Sequence, residues 1–82
     1  MNVLAIDFDG TAKEHPNKVN HLFEDHDNFI VIYTARSPIV RKQTEEELAK
    51  AGIRYHALVM GKLRADTFID DRNQGGLQWP ET

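Results

Sequence analysis

The chain has 82 residues, a formal net charge of −3 and no cysteine. One small domain of this length hides only ~60–65% of its unfolded surface, so its core is thin and a metal, partner or oligomer has room to matter. The mild acidity gives no global reason to expect a polyanion binder, and the missing thiols exclude disulfides and thiolate metal sites.

The first element is an apolar run at residues 2–7 (NVLAID), of the kind a buried parallel strand shows. Residues 8–16 (FDGTAKEHP) read as a loop, with Gly10 and Pro16 as punctuation. Val19, Leu22, Phe23 and His26 then fall on one face of a short helix. FIVIYT at 29–34 is a second buried strand, rich in β-branched and aromatic residues. Ser37 and Pro38 form a helix start, an N-cap followed by proline at the first position. Val40, Thr44, Leu48 and Ala51 make the inner stripe of that helix, and Arg41 pairs with Glu45 outside. The acidic run at 45–47 reads as a solvated helix face, and Gly52 ends the helix where a left-handed residue is wanted. Residues 55–60 and 67–70 are expected as a third and a fourth strand.

Strands alternating with helices predict an α/β fold, a parallel sheet of about four strands joined by right-handed crossovers, in a single domain spanning 1–82. No apolar run approaches the ~20 residues of a membrane span. The N-terminus also lacks a basic-then-apolar leader, so a soluble, cytoplasmic protein is the expectation.

Open parallel sheets bind ligands beyond the carboxyl ends of their strands. The polar residues of this chain collect there: Asp7 and Asp9 after the first strand, Thr34 and Arg36 after the second. Lys62 follows the third, and Asp70 and Asp71 close the fourth. Carboxylates converging on one rim repel unless a cation sits among them, and hard oxygen ligands suit Mg²⁺. A hydroxyl and an ammonium beside that metal make a phosphate cradle. Read singly, the same residues are also ordinary turn formers, a capping threonine and a solvated lysine.

Together, DFDGT (7–11), Thr34 in IYTAR, Lys62 in MGK and FIDD (68–71) resemble the four ordered motifs of the haloacid dehalogenase-like phosphohydrolases. IDDR at 69–72 is also similar to the phosphatase half of polynucleotide kinase–phosphatases. The resemblance implies a Rossmann-like core without a cap domain and a phosphatase mechanism in which Asp7 is the nucleophile and Asp9 the general acid and base. It implies Mg²⁺ held by Asp7, the Asp9 carbonyl and Asp70, with Asp71 either a direct ligand or behind one. Thr34 and Lys62 would hold the phosphoryl oxygens, within a substrate-contacting set that includes Gly10, Thr11, Ala35 and Arg36.

The chain departs from that family in two places. About ten residues separate Asp9 from the first helix, which leaves a short flap and an open site, suited to a bulky substrate, a nucleic-acid end or closure by a second protein. The expected substrate is a phosphorylated small molecule or a nucleic-acid end. Only eight positions separate Lys62 from Asp70, too few for the usual intervening helix. One face of the sheet is then expected to lack cover, with Leu4, Ile30 and Ile32 meeting only a thin loop and the Leu77–Trp79 tail. That expectation points to a homodimer or to docking on a larger protein. A reduced relative that binds metal and phosphate without turnover is the alternative to an enzyme.

Overall fold

The apolar run at the N-terminus becomes an inner strand of a parallel sheet. The computed structural model describes residues 1–61 and the backbone of the short strand at 67–69. In chain order the elements are β1 (Asn2–Asp7), α1 (Pro16–Glu24), β2 (Asn28–Thr34), α2 (Arg41–Ala51), β3 (Ala57–Met60) and β4 (Thr67–Ile69). The strand order is β3-β2-β1-β4, with every neighbouring pair parallel. The molecule is a small α/β fold. Among the described residues, no helix is long and apolar enough to cross a membrane.

Each crossover from β1 to β2 and from β2 to β3 moves the chain one strand in the same direction. Right-handedness therefore puts both helices on the same face. The core agrees: Val19 and Leu22 of α1 and Leu48 of α2 share one cluster with Leu4, Ile6, Ile30, Ile32 and Leu58. This corrects the expectation that Leu4, Ile30 and Ile32 lie on the uncovered side. In a strand the two faces alternate, and these residues carry the parity that faces the helices. The opposite parity belongs to Val3, Ala5, Phe29, Val31 and Tyr33, of which Ala5 and Val31 are buried as well.

The ends of the elements have identifiable causes. Pro16 opens α1 instead of lying in the loop, a position where its missing N–H costs nothing. The helix stops at Glu24, so His26 lies beyond it. Ser37 accepts from the Ile39 N–H at 3.3 Å, capping a single 3₁₀ turn over Pro38–Val40, and regular α-helix begins only at Arg41. Gly52 takes φ +71° and closes α2 as expected. Asn20 of α1 ties down the chain beyond it, donating to the Gly52 carbonyl at 2.8 Å and accepting from the Arg54 N–H at 2.8 Å.

The third strand starts two residues later than its apolar pattern suggests. The backbone N–H of His56 donates to the Ile30 carbonyl, and the Ile30 N–H is received by the His56 ring at Nδ1, both at 2.9 Å. The imidazole thus replaces a carbonyl in the ladder, and regular pairing follows from Ala57. The same ring stacks on Phe23 and Phe29, with centroids 4.5 and 4.9 Å away.

Candidate active site

The carboxyl edge of the sheet is formed by the ends of β1 and β2. Leu4, Ile6 and Phe8 enter the core, which leaves Asp7 on the opposite parity, half-buried at the strand terminus. Beyond it the chain winds through a tight turn at Phe8–Ala12. Asp9 keeps an extended backbone there (φ −72°, ψ 126°), and Gly10 reverses the chain at φ +78°, a conformation costly for a residue with a Cβ. Phe8 is fully buried while the Asp9 side chain stays 51% exposed. The pattern apolar, Asp, Phe, Asp, Gly therefore anchors the turn by its aromatic ring and leaves both carboxylates at the rim.

Asp9 does not stand alone. Arg36, two residues beyond β2, donates to it through two parallel bonds, Nε to Oδ2 at 3.0 Å and Nη2 to Oδ1 at 2.7 Å. The far side of the guanidinium is received by Glu47 of α2, with Nη1 to Oε2 at 2.7 Å and Nη2 to Oε1 at 3.3 Å. The remaining Nη1 proton goes to the Thr44 hydroxyl at 3.2 Å. All the N–H donors a guanidinium possesses are thereby matched inside the protein. Lys13 completes the set, its Nζ 3.1 Å from Glu47 Oε1. Both cations also stand over the Phe8 ring, Arg36 at 5.0 Å and Lys13 at 5.9 Å from its centroid. Two carboxylates and two cations make the group neutral. Hydrogen bonds from Arg36 and then Lys13 hold the Glu47 carboxyl far below its ordinary 4.5, at about 2. Hydrogen bonds to Glu47 and Asp9 push the Arg36 guanidinium further up.

Thr34 joins the first two motifs. Its hydroxyl, at a residue only 1% exposed, receives the Arg36 backbone N–H at 3.1 Å and points at Asp9 Oδ2 across 3.4 Å. The latter exceeds the usual range for hydroxyl bonds, so Thr34 and Asp9 are neighbours with a weak contact.

Of the other residues singled out from the sequence, Gly10 and Ala35 are exposed at this rim. Thr11 is fully buried beside them, and its hydroxyl has no partner among the described residues. Arg36 lies at the rim as expected but is occupied by Asp9, Glu47 and Thr44. Lys62, Asp70 and Asp71 lie outside the described residues. Ile69 pairs with Ile6, and in the sequence the step from Ile69 to Asp70 mirrors the step from Ile6 to Asp7. The described residues alone bring together no three His, Asp or Glu side chains able to hold a metal. Asp7 and the Asp9 carbonyl are hard oxygen donors, the type Mg²⁺ takes, and Asp70 and Asp71 are of the same type.

Glu47, Thr44 and Phe8 were not legible as site residues. Glu47 belongs to an acidic run that reads as solvated, and Glu45 does pair outward with Arg41 at 3.6 Å. Glu47 differs because it stands three residues after the buried Thr44 and next to the buried Leu48, at the boundary of the inner stripe. That spacing was the available signal. Thr44 itself donates to the Val40 carbonyl at 2.9 Å, which explains a hydroxyl on the inner stripe.

A second, shallow cleft of about 530 Å³ is lined by Phe23, Glu24, His26, Arg54 and His56. Its side chains engage one another: Arg54 lies over Phe23 at 5.2 Å and faces Glu24 at 3.6 Å. It reads as a staple between α1 and the start of β3. The chain matches no known protein family, no curated protein and no solved structure.

Proposed function

We propose that this protein is a Mg²⁺-dependent phosphohydrolase of the haloacid dehalogenase-like type. Within that class it is a capless phosphomonoesterase working through an aspartyl-phosphate on Asp7, with nucleotides or nucleic-acid ends as the substrate class. The observation that carries this reading is the meeting of two separate motifs at one rim. Asp9 and Thr34 are 25 positions apart, yet their side chains lie 3.4 Å apart beside the end of β1. A pair of ordinary turn aspartates has no need of that neighbour. The substrate class rests on the sequence resemblance and on the exposure of Asp9, Gly10 and Ala35 at the rim.

In the first step an Asp7 oxygen attacks phosphorus, the bond to the leaving oxygen breaks, and Asp9 gives that oxygen its proton. In the second, water attacks the phosphorus of the aspartyl-phosphate and passes a proton to Asp9. Inorganic phosphate leaves and Asp7 is regenerated. Arg36 holds the Asp9 side chain in a fixed direction, with Asp9 as the acid at the start of the first step and as the carboxylate that takes the proton of water in the second. The weak Thr34–Asp9 contact is the one a phosphoryl oxygen takes over, and Lys62 adds positive charge to the same group. Mg²⁺ held by Asp7, the Asp9 carbonyl and Asp70 or Asp71 would offset the charge of the transferring group.

One observation favours a second reading. Both oxygens of Asp9 accept from Arg36, and a module that merely binds Mg²⁺ and phosphate needs no freer carboxylate. A homodimer, or docking on a larger protein that also caps the site, would suit either reading. Hydrolysis of para-nitrophenyl phosphate with Mg²⁺ separates the two. The enzyme reading expects turnover in the wild type, none in Asp7→Asn, and a loss of ~10²–10⁴-fold in Asp9→Asn. Asp7→Asn activity within tenfold of wild type would eliminate the covalent route, and phosphate binding without any turnover would establish the binding module.

A further inference from the structure

We infer that Glu47, on the surface of α2, is a positioning residue for Asp9, acting through Arg36. The inference deepens the phosphohydrolase reading and rests on it for its kinetic consequence, though not for its geometric one.

An arginine that reaches a carboxylate from a loop has many rotamers, and a single pair near the surface seldom fixes its geometry. Here the guanidinium is gripped from behind. Glu47 takes one proton from each Nη, at 2.7 and 3.3 Å, which orients the planar fork so that the adjacent edge, Nε and Nη2, faces Asp9. Thr44 holds the same Nη1 from the same helix, and the Phe8 ring lies 5.0 Å from the guanidinium carbon. The fork can then present two parallel bonds to Asp9, the geometry that adds direction as well as attraction. Glu47 is anchored in turn by Lys13 at 3.1 Å, from the turn that follows Gly10.

A charge balance runs alongside the geometry. Arg36 lies between two carboxylates, with side chains 23% exposed for Arg36 and 24% for Glu47 against 51% for Asp9. The better-shielded pair is the one away from the rim. Glu47 therefore acts as the fixed partner and Asp9 as the one that meets the reactant. Neighbouring Glu45, bound outward to Arg41 at 3.6 Å, has no line to this network and serves as the control.

The test uses the full chain with ¹⁵N-labelled arginine, comparing wild type, Glu47→Gln and Glu45→Gln. The Arg36 Nε–H, facing Asp9, is expected to exchange slowly with water in wild type and in Glu45→Gln, and at least tenfold faster in Glu47→Gln. In parallel, kcat for para-nitrophenyl phosphate with Mg²⁺ is expected to fall about 10- to 100-fold in Glu47→Gln, the scale of a misplaced catalytic group. KM should stay within about twofold, because Glu47 touches no substrate. Unchanged Arg36 exchange in Glu47→Gln overturns the inference, as does faster exchange with an unaltered kcat. If the wild type itself shows no turnover, the proposed function fails separately, and the exchange rates alone decide whether Glu47 places Asp9.

Discussion

Thr11 buries a hydroxyl that has no acceptor or donor among the described residues, at a residue with no exposed surface. An unmatched polar atom in a core costs about 1–3 kcal/mol, and replacing it by an apolar group of the same shape recovers that cost. Thr11→Val is therefore expected to raise stability, by up to about 1–3 kcal/mol, read as a shift in the urea midpoint. A loss of stability would mean that the hydroxyl has a partner beyond the described residues. The contrast with Thr34 is instructive. Thr34 is equally buried, but its hydroxyl has the Arg36 N–H at 3.1 Å and Asp9 nearby, so its polarity belongs to the site. Two threonines of the same motif set thus differ in what their hydroxyls meet, and burial alone does not separate them.

At the scale of elements, α2 is held to the turn after β1 by charge as well as by packing. Leu48 supplies the packing, fully buried in the shared core, and Glu47 supplies the charge through Arg36 and Lys13. The Glu47 carboxyl sits near 2 in the folded chain against 4.5 ordinarily, so its folded value is depressed. The unfolded state then binds a proton more readily, and stability rises with pH wherever that difference operates. The contribution is complete above about 4.5 and is lost as pH falls toward 2. Urea midpoints measured from pH 6 down to 2.5 should therefore fall more steeply for wild type than for Glu47→Gln, which has nothing to protonate. Parallel profiles would show that the helix is not held by this carboxylate.

At the scale of the whole molecule, a thin core leaves room for a ligand to contribute noticeably to stability. On the proposed reading, Asp7, Asp70 and Asp71 would repel one another until a cation joined them, and the cation would bind only the assembled rim. On the proposed reading, Mg²⁺ at about 100 times its dissociation constant adds ~2.7 kcal/mol. For a domain this small that is a melting shift on the order of ten degrees. Thermal scans in Mg²⁺ and in EDTA are expected to separate by that amount for wild type and to coincide for Asp7→Asn. Coincident wild-type scans would remove the metal from the proposal. The case for self-association no longer draws on Leu4, Ile30 and Ile32, which the helices cover.

The strands at 2–7 and 29–34, the cap at Ser37 and the stop at Gly52 were legible in the sequence because each depends on local chemistry. Continuous apolar runs, a hydroxyl before proline and a left-handed glycine act within a few residues of themselves. The pair Asp7 and Asp9 at a strand end was legible for the same reason. Which sheet face carries the helices was misread for Leu4, Ile30 and Ile32, because a run apolar on both parities does not say which parity turns inward. The late start of β3 depended on the His56 ring accepting from Ile30, a contact across 26 positions. The assignment of Glu47 to the site, while its neighbour Glu45 faces solvent, was settled by where α2 lies over Phe8 and Arg36. Spacing along the helix places Glu47 at the edge of the inner stripe but does not name its partner, since Arg36, 11 positions away in sequence, becomes a neighbour only when the sheet and helix have packed.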